Sequence, residues 1–137
     1  MTILAKVLIV DDEPHVLSYV SMFLKATLGE LEICLAGTGE EAIALFKNQK
    51  PDLVLLDINL VGMTGFDVLR AIRQVDPDAV SVMLSSVSVR RSVERALEEG
   101  ADGYLLKELP HEELALALKD LVNQLFGDET SAASGTP

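Results

Sequence analysis

The chain has 137 residues, 49% of them hydrophobic and 24% charged, which is the size of one ordinary domain with enough apolar material for a core. Eleven Lys and Arg against 22 Asp and Glu leave a net charge of −11, which repels phosphate backbones and acidic lipid surfaces and disfavours nucleic-acid or membrane binding by this segment. A single cysteine, Cys34, excludes an internal disulfide framework and a cysteine-rich zinc site.

The apolar start, residues 3–10, is interrupted by Lys6 and stopped by Asp11-Asp12-Glu13, so it does not read as a signal segment. The same residues 6–10 form the first of five short runs rich in Val, Ile and Leu. A helix follows from Pro14, with Val16, Val20, Phe23, Leu24 and Thr27 on one face and Ser18, Ser21 and Lys25 on the other. The second run spans residues 32–35, and Cys34 within it reads as a small packed hydrophobe. Thr38-Gly39-Glu40-Glu41 then has a capping-box pattern and opens a helix burying Ala42, Leu45 and Phe46. After the third run, 53–56, a helix starts past Gly65 and presents Phe66, Leu69 and Ile72. The fourth run, 80–84, lies in an uncharged stretch, 79–89, that holds four serines and is too short to span a membrane. Its helix presents Val89, Val93, Ala96 and Leu97 and stops at Gly100. The fifth run, 103–106, precedes a helix starting at Pro110, with Leu114, Ala117, Leu118, Leu121 and Leu125 inward.

Strand and helix therefore alternate five times, which predicts an α/β fold with a parallel sheet covered by helices on both faces. The near-continuous apolar strands fit burial on both sides. Residues 1–126 form this one domain, and the small polar residues 127–137 are expected to be a flexible tail or the start of a linker. His15 and His111 read as surface positions, and Met22, Met63 and Met83 as loop or core filler.

In open sheets of this kind ligands bind beyond the carboxyl ends of the strands. Asp11 and Asp12, Asp57, Ser85 and Lys107 each follow an apolar run, so they are expected at one edge. Asp11-Asp12-Glu13-Pro14 taken alone also reads as an acidic helix cap with proline in the first turn. That explains one acid, not two, and Asp57 begins no helix. Three crowded carboxylates need a cation, and hard oxygen donors with room for water and phosphate oxygens suit Mg²⁺ (or Mn²⁺). Lys107 alone reads as a salt bridge and Ser85 as a backbone-bonded serine. Together, metal, ammonium, hydroxyl and carboxylate are the parts needed for phosphoryl transfer to an aspartate.

At this point the sequence resembles the receiver domain of two-component response regulators, from residue 4 to about 125. The resemblance implies a flavodoxin-like sheet of order 2-1-3-4-5. It implies that Asp57, in Leu55-Leu56-Asp57-Ile58-Asn59, is the phosphoacceptor, and that Asp11 and Asp12 hold Mg²⁺ with Asp57 and the backbone carbonyl of Asn59. Ser85 matches the switch hydroxyl, Lys107 the phosphate-pairing lysine, and Tyr104 the aromatic that changes rotamer on activation. The chain departs from the family pattern at Val61 and Glu108, where proline is usual, and at Ser86, where a smaller residue is usual. The string Gly103-Tyr104-Leu105-Leu106-Lys107-Glu108 looks most like receivers fused to helix-turn-helix output domains.

The expected function is a phosphorylation-activated cytoplasmic switch, not an enzyme turning over an external substrate. Its expected partners are a sensor histidine kinase or phosphotransfer protein, a downstream protein or its own output domain, and a second copy on phosphorylation. Arg90, Arg91 and Arg95 read either as a solvated face paired with Glu94, Glu98 and Glu99 or as a docking patch. Alternatives are the receiver part of a DNA-binding regulator, a phosphate-independent binding module and a Mg²⁺-dependent phosphohydrolase. The adjacent acids, in place of an Asp-x-Asp motif, argue against the last. A flavin electron carrier would need a Ser/Thr/Gly-rich phosphate loop where the acids stand.

Overall fold

Alternating apolar and helical segments resolve into β1 (Lys6–Val10), α1 (Pro14–Leu28), β2 (Glu32–Ala36), α2 (Gly39–Gln49), β3 (Leu53–Asp57), α3 (Gly65–Val75), β4 (Ser81–Ser85), α4 (Arg90–Glu98), β5 (Gly103–Leu106) and α5 (His111–Phe126). The structure is a computed structural model that describes residues 4–86 and 90–127, without the side chain of Arg90. Val89, the Arg90 side chain and the tail from residue 128 onward lie outside the described residues. The five strands form one parallel sheet in the order β2-β1-β3-β4-β5, as expected.

The sheet divides the core in two. Val7, Ile9, Leu55, Leu84 and Leu105 face α1 and α5, where they meet Val16, Val20, Leu24, Leu114, Leu118, Val122 and Phe126. Leu8, Val10, Leu56 and Met83 face the other way and meet Ala42 and Phe46 of α2, Phe66, Leu69 and Ile72 of α3, and Ala96 of α4. This two-sided burial is why β3 and β4 have no exposed residue, while the edge strands β2 and β5 are only partly covered.

Three strand ends lie one residue further on than apolarity alone predicts. Ala36 pairs with Val10, Asp57 with Leu84 and Ser85 with Leu106, so partners on the neighbouring strands carry each ladder one residue further. Helix details also differ. Leu97 is 59% exposed, because α4 is short and buries Ala96, whose neighbour is turned about 100° away on a helix. Met22 stands exposed on α1, neither loop nor core. In α5 the buried residues follow a strict four-residue spacing that adds Val122 and Phe126, and Pro110 is the N-cap, outside the first turn. The Thr38 hydroxyl accepts from the Glu41 N–H, but the Glu41 carboxylate accepts from Gly37, not from Thr38. The complete capping box is at α3, where Thr64 and Asp67 bond each other's backbone N–H reciprocally. Among the described residues no helix is long and apolar enough to cross a membrane.

Candidate functional site

Parallel strands deliver their carboxyl ends to one edge, and there the acids meet. Asp11 follows β1, with its N–H bonded to the Ala36 carbonyl of β2 at 3.1 Å. Asp57 is the last residue of β3, Ser85 the last of β4, and Lys107 follows β5 with its N–H on the Ser85 carbonyl at 2.9 Å. Asp11, Asp57, Ser85 and Lys107 are all buried. Asp12 is the most solvent-open of the three aspartates. One carboxylate oxygen from each of Asp11, Asp12 and Asp57 lies within 4.8 Å of the others.

The helix-cap reading of the acids does not hold. Glu13 is the N-cap residue of α1, makes no side-chain cap bond, and is followed by Pro14 in the first turn. The Asp11 carboxylate instead accepts from the Glu13 N–H through Oδ1 at 2.9 Å and from Lys107 Nζ through Oδ2 at 2.9 Å. Lys107 Nζ also reaches Asp57 Oδ2 at 3.3 Å and Glu13 Oε1 at 3.2 Å, so one ammonium serves three acids. Glu13 was not among the expected site residues. Its adjacency to Asp11-Asp12 is the only sequence signal for it, and that signal also fits a cap.

These surroundings set the charges. Burial, and then the neighbouring Asp11 charge, raise the Asp57 carboxyl to about 6, against the opposing pull of Lys107 and the Asn59 N–H. Burial works against the Lys107 charge, but the Asp11 hydrogen bond and the Asp57 and Asp11 charges outweigh it and hold the ammonium above its ordinary range. Two unit charges 4.8 Å apart repel by about 3.5 kcal/mol at an effective dielectric of 20. A single lysine cannot offset three such acids. The residues fit a divalent cation: hard carboxylate oxygens at binding separation, a charge excess, and one open side at Asp12.

The loop after Asp57 is held tightly. The Asn59 N–H donates to Asp57 Oδ1 at 3.3 Å, Asn59 bridges to Thr64, and the Gly65 N–H donates to the Ile58 carbonyl at 2.7 Å. A Cβ on Gly65 would stand 2.2 Å from the Asp57 carbonyl oxygen, so only glycine lets α3 start this close to Asp57. Gly65 is a second site feature not singled out for function from sequence, although the Thr64…Asp67 capping box marks the helix start it occupies.

Tyr104 lies on the sheet face that carries Met83, half-buried against the second core cluster. With Val93, Leu109 and Ala117 it lines a groove of about 390 Å³ between α4, β5 and α5. Arg95 of the expected cationic cluster lies over the Phe66 ring at 4.6 Å and approaches Glu99 at 3.8 Å, which favours the paired-face reading for that residue. The Lys107–Glu108 peptide is trans.

Residues 7–119 match the response regulator receiver domain family. The chain is 35% identical over 114 residues to the nitrate/nitrite response regulator protein NarL of Escherichia coli K12, covering 83% of this chain and 53% of NarL. It is 36% identical over 118 residues to the probable transcriptional regulatory protein TcrX of Mycobacterium tuberculosis, covering 86% of this chain and 50% of TcrX. The chain thus spans about half the length of these curated relatives. A LuxR-family two-component response regulator from Aurantimonas superposes with a TM-score of 0.79 at 28% identity, over 88% of this chain and 86% of that one. A chain from the CheX–CheY–BeF₃–Mg²⁺ complex of Borrelia burgdorferi gives a TM-score of 0.79 at 29% identity, over 89% of each. The buried acids and lysine at the carboxyl edge of a 2-1-3-4-5 sheet, together with these matches, place the chain in the response regulator receiver domain family of two-component systems.

Proposed function

We propose that this receiver is a phosphorylation switch in which Asp57 is the phosphoacceptor, Asp11, Asp12, Asp57 and the Asn59 carbonyl hold Mg²⁺ (or Mn²⁺), and Ser85, Lys107 and Tyr104 relay the change. The observation that carries the reading is the cluster of Asp11, Asp12 and Asp57 at one sheet edge, with Lys107 bridging Asp11 and Asp57. Bound Mg²⁺ would supply charge neutralisation for the phosphoryl oxygens. Asp57, as its carboxylate, attacks phosphorus in line. An O–P bond forms, the P–N bond of a phosphohistidine or the P–O bond of a small acyl phosphate breaks, and its electron pair leaves with the donor. Lys107, already aimed at Asp57 Oδ2, pairs with the new dianion. Ser85 donates a hydrogen bond to a phosphoryl oxygen, and Tyr104 turns into the space it vacates, reshaping the α4–β5–α5 surface. Moving such an equilibrium from 1:99 to 99:1 takes about 5.5 kcal/mol, and two charge-assisted hydrogen bonds of about 2 kcal/mol each supply most of it.

On this reading residues 1–126 are the receiver and 127–137 a tail or linker start. The partners are a histidine kinase or phosphotransfer protein and a downstream target, the chain works in the cytoplasm, and it catalyses only its own phosphoryl transfer and slow dephosphorylation. A second reading, favoured by the transcriptional relative TcrX and by the half-length match, makes it the receiver part of a DNA-binding regulator. Incubation with labelled acetyl phosphate and Mg²⁺ tests the site: the wild type takes up one acid-stable, base-labile label and Asp57→Asn none. Full labelling of Asp57→Asn refutes the assignment.

A further inference from the structure

Lys107 does its work through Nζ, yet the position of Nζ depends on where the backbone after β5 is held. Residue 108 is glutamate, so no proline ring restrains the chain there. The Lys107 N–H is tied to β4 through the Ser85 carbonyl. Its carbonyl is tied by a side chain 88 positions away: the Tyr19 hydroxyl of α1 donates to the Lys107 oxygen at 2.7 Å. The tyrosine ring is itself held, stacked on His111 at the start of α5 at 5.4 Å and 22° and packed against Phe23 at 5.8 Å. Phe23 in turn meets His111 edge-on at 5.0 Å.

We propose that Tyr19 is a positioning residue for Lys107, its hydroxyl fixing the β5–α5 loop so that the ammonium bridges Asp11 and Asp57. The proposal rests on the phosphoryl-transfer reading above. With both backbone groups of Lys107 bonded to neighbouring elements, its Cα has little freedom, and the ammonium is presented to the acids in advance of the phosphoryl group. Removing the hydroxyl frees one of the two anchors and leaves the ring stack and the acids in place. Displacements of about 1 Å at a reacting group cost up to about a hundredfold in rate, and a loosened loop is expected to cost about tenfold.

The test is Tyr19→Phe, which keeps the aromatic contacts, assayed for phosphorylation by saturating acetyl phosphate and for Mg²⁺ affinity. The rate constant is expected to fall about tenfold with Mg²⁺ affinity unchanged, since no carboxylate has moved. In a Lys107→Met background, itself slow, Tyr19→Phe is expected to do nothing further. A wild-type rate in Tyr19→Phe overturns the proposal, as does an equal loss of Mg²⁺ affinity or an undiminished effect without the lysine. A wild-type rate in Lys107→Met overturns it too, whereas full labelling of Asp57→Asn overturns the phosphoryl-transfer reading instead, which keeps the two failures apart.

Discussion

Replacing Asp57 by asparagine is expected to stabilise the metal-free protein, and to do so only where the carboxyl is ionised. Asp57 is raised from 3.8 to about 6 because burial and Asp11 disfavour its charge. For a carboxyl raised on folding, the penalty is absent below the unfolded pKa, grows between about 4 and 6, and is complete above the folded value. Each pKa unit is about 1.4 kcal/mol, giving about 3 kcal/mol in full and about 2 kcal/mol once water at the open side of the cluster screens it. In a domain of this size that is a rise in Tm of about 4–8 °C at pH 8. At pH 5, still above the sequence isoelectric point near 4.4, the gain is expected to fall to about half. The measurement is chemical or thermal unfolding of both proteins in EDTA, followed by far-UV circular dichroism at the two pH values. An Asp57→Asn protein no more stable than the wild type at pH 8, or one with the same advantage at both pH values, would refute a buried Asp57 charge that destabilises the fold.

Two further outcomes follow from the same geometry. Adding Mg²⁺ at a hundred times its Kd should stabilise the wild type by about 2.7 kcal/mol, and Asp12→Asn should shift the midpoint of that titration to higher Mg²⁺; calorimetric titration reads both, and an unaltered midpoint would remove Asp12 from the cation site. Gly65→Ala drives a methyl group into the Asp57 carbonyl, so a loss of about 2 kcal/mol in urea unfolding is expected together with slower phosphorylation by acetyl phosphate. A stable and fully active Gly65→Ala would show that α3 can retreat from β3 without consequence.

Much of this protein is legible in one dimension, for reasons of local physics. Two-sided burial writes β1, β3 and β4 as near-continuous apolar runs, and helix periodicity marks the faces that cover them. Once the strands are parallel, the residue after each run is at a shared edge, so Asp11, Asp12, Asp57, Ser85 and Lys107 could be grouped from sequence alone. Local pattern is ambiguous at a few positions. Leu97 and Met22 are apolar residues on helices whose neighbours, not they, meet the sheet. Strand ends at Asp57 and Ser85 are set by ladder partners on other strands.

What the amino-acid order determined by itself was the alternation of elements, the sidedness of the core and the identity of the acids and lysine at the sheet edge, because burial periodicity and strand-end polarity are properties of neighbouring residues. Tertiary structure alone decided which acids share Lys107, why Gly65 must lack a Cβ, and that Tyr19 anchors the Lys107 backbone. Those are contacts between segments as far as 96 positions apart, and no local pattern encodes a partner at that separation.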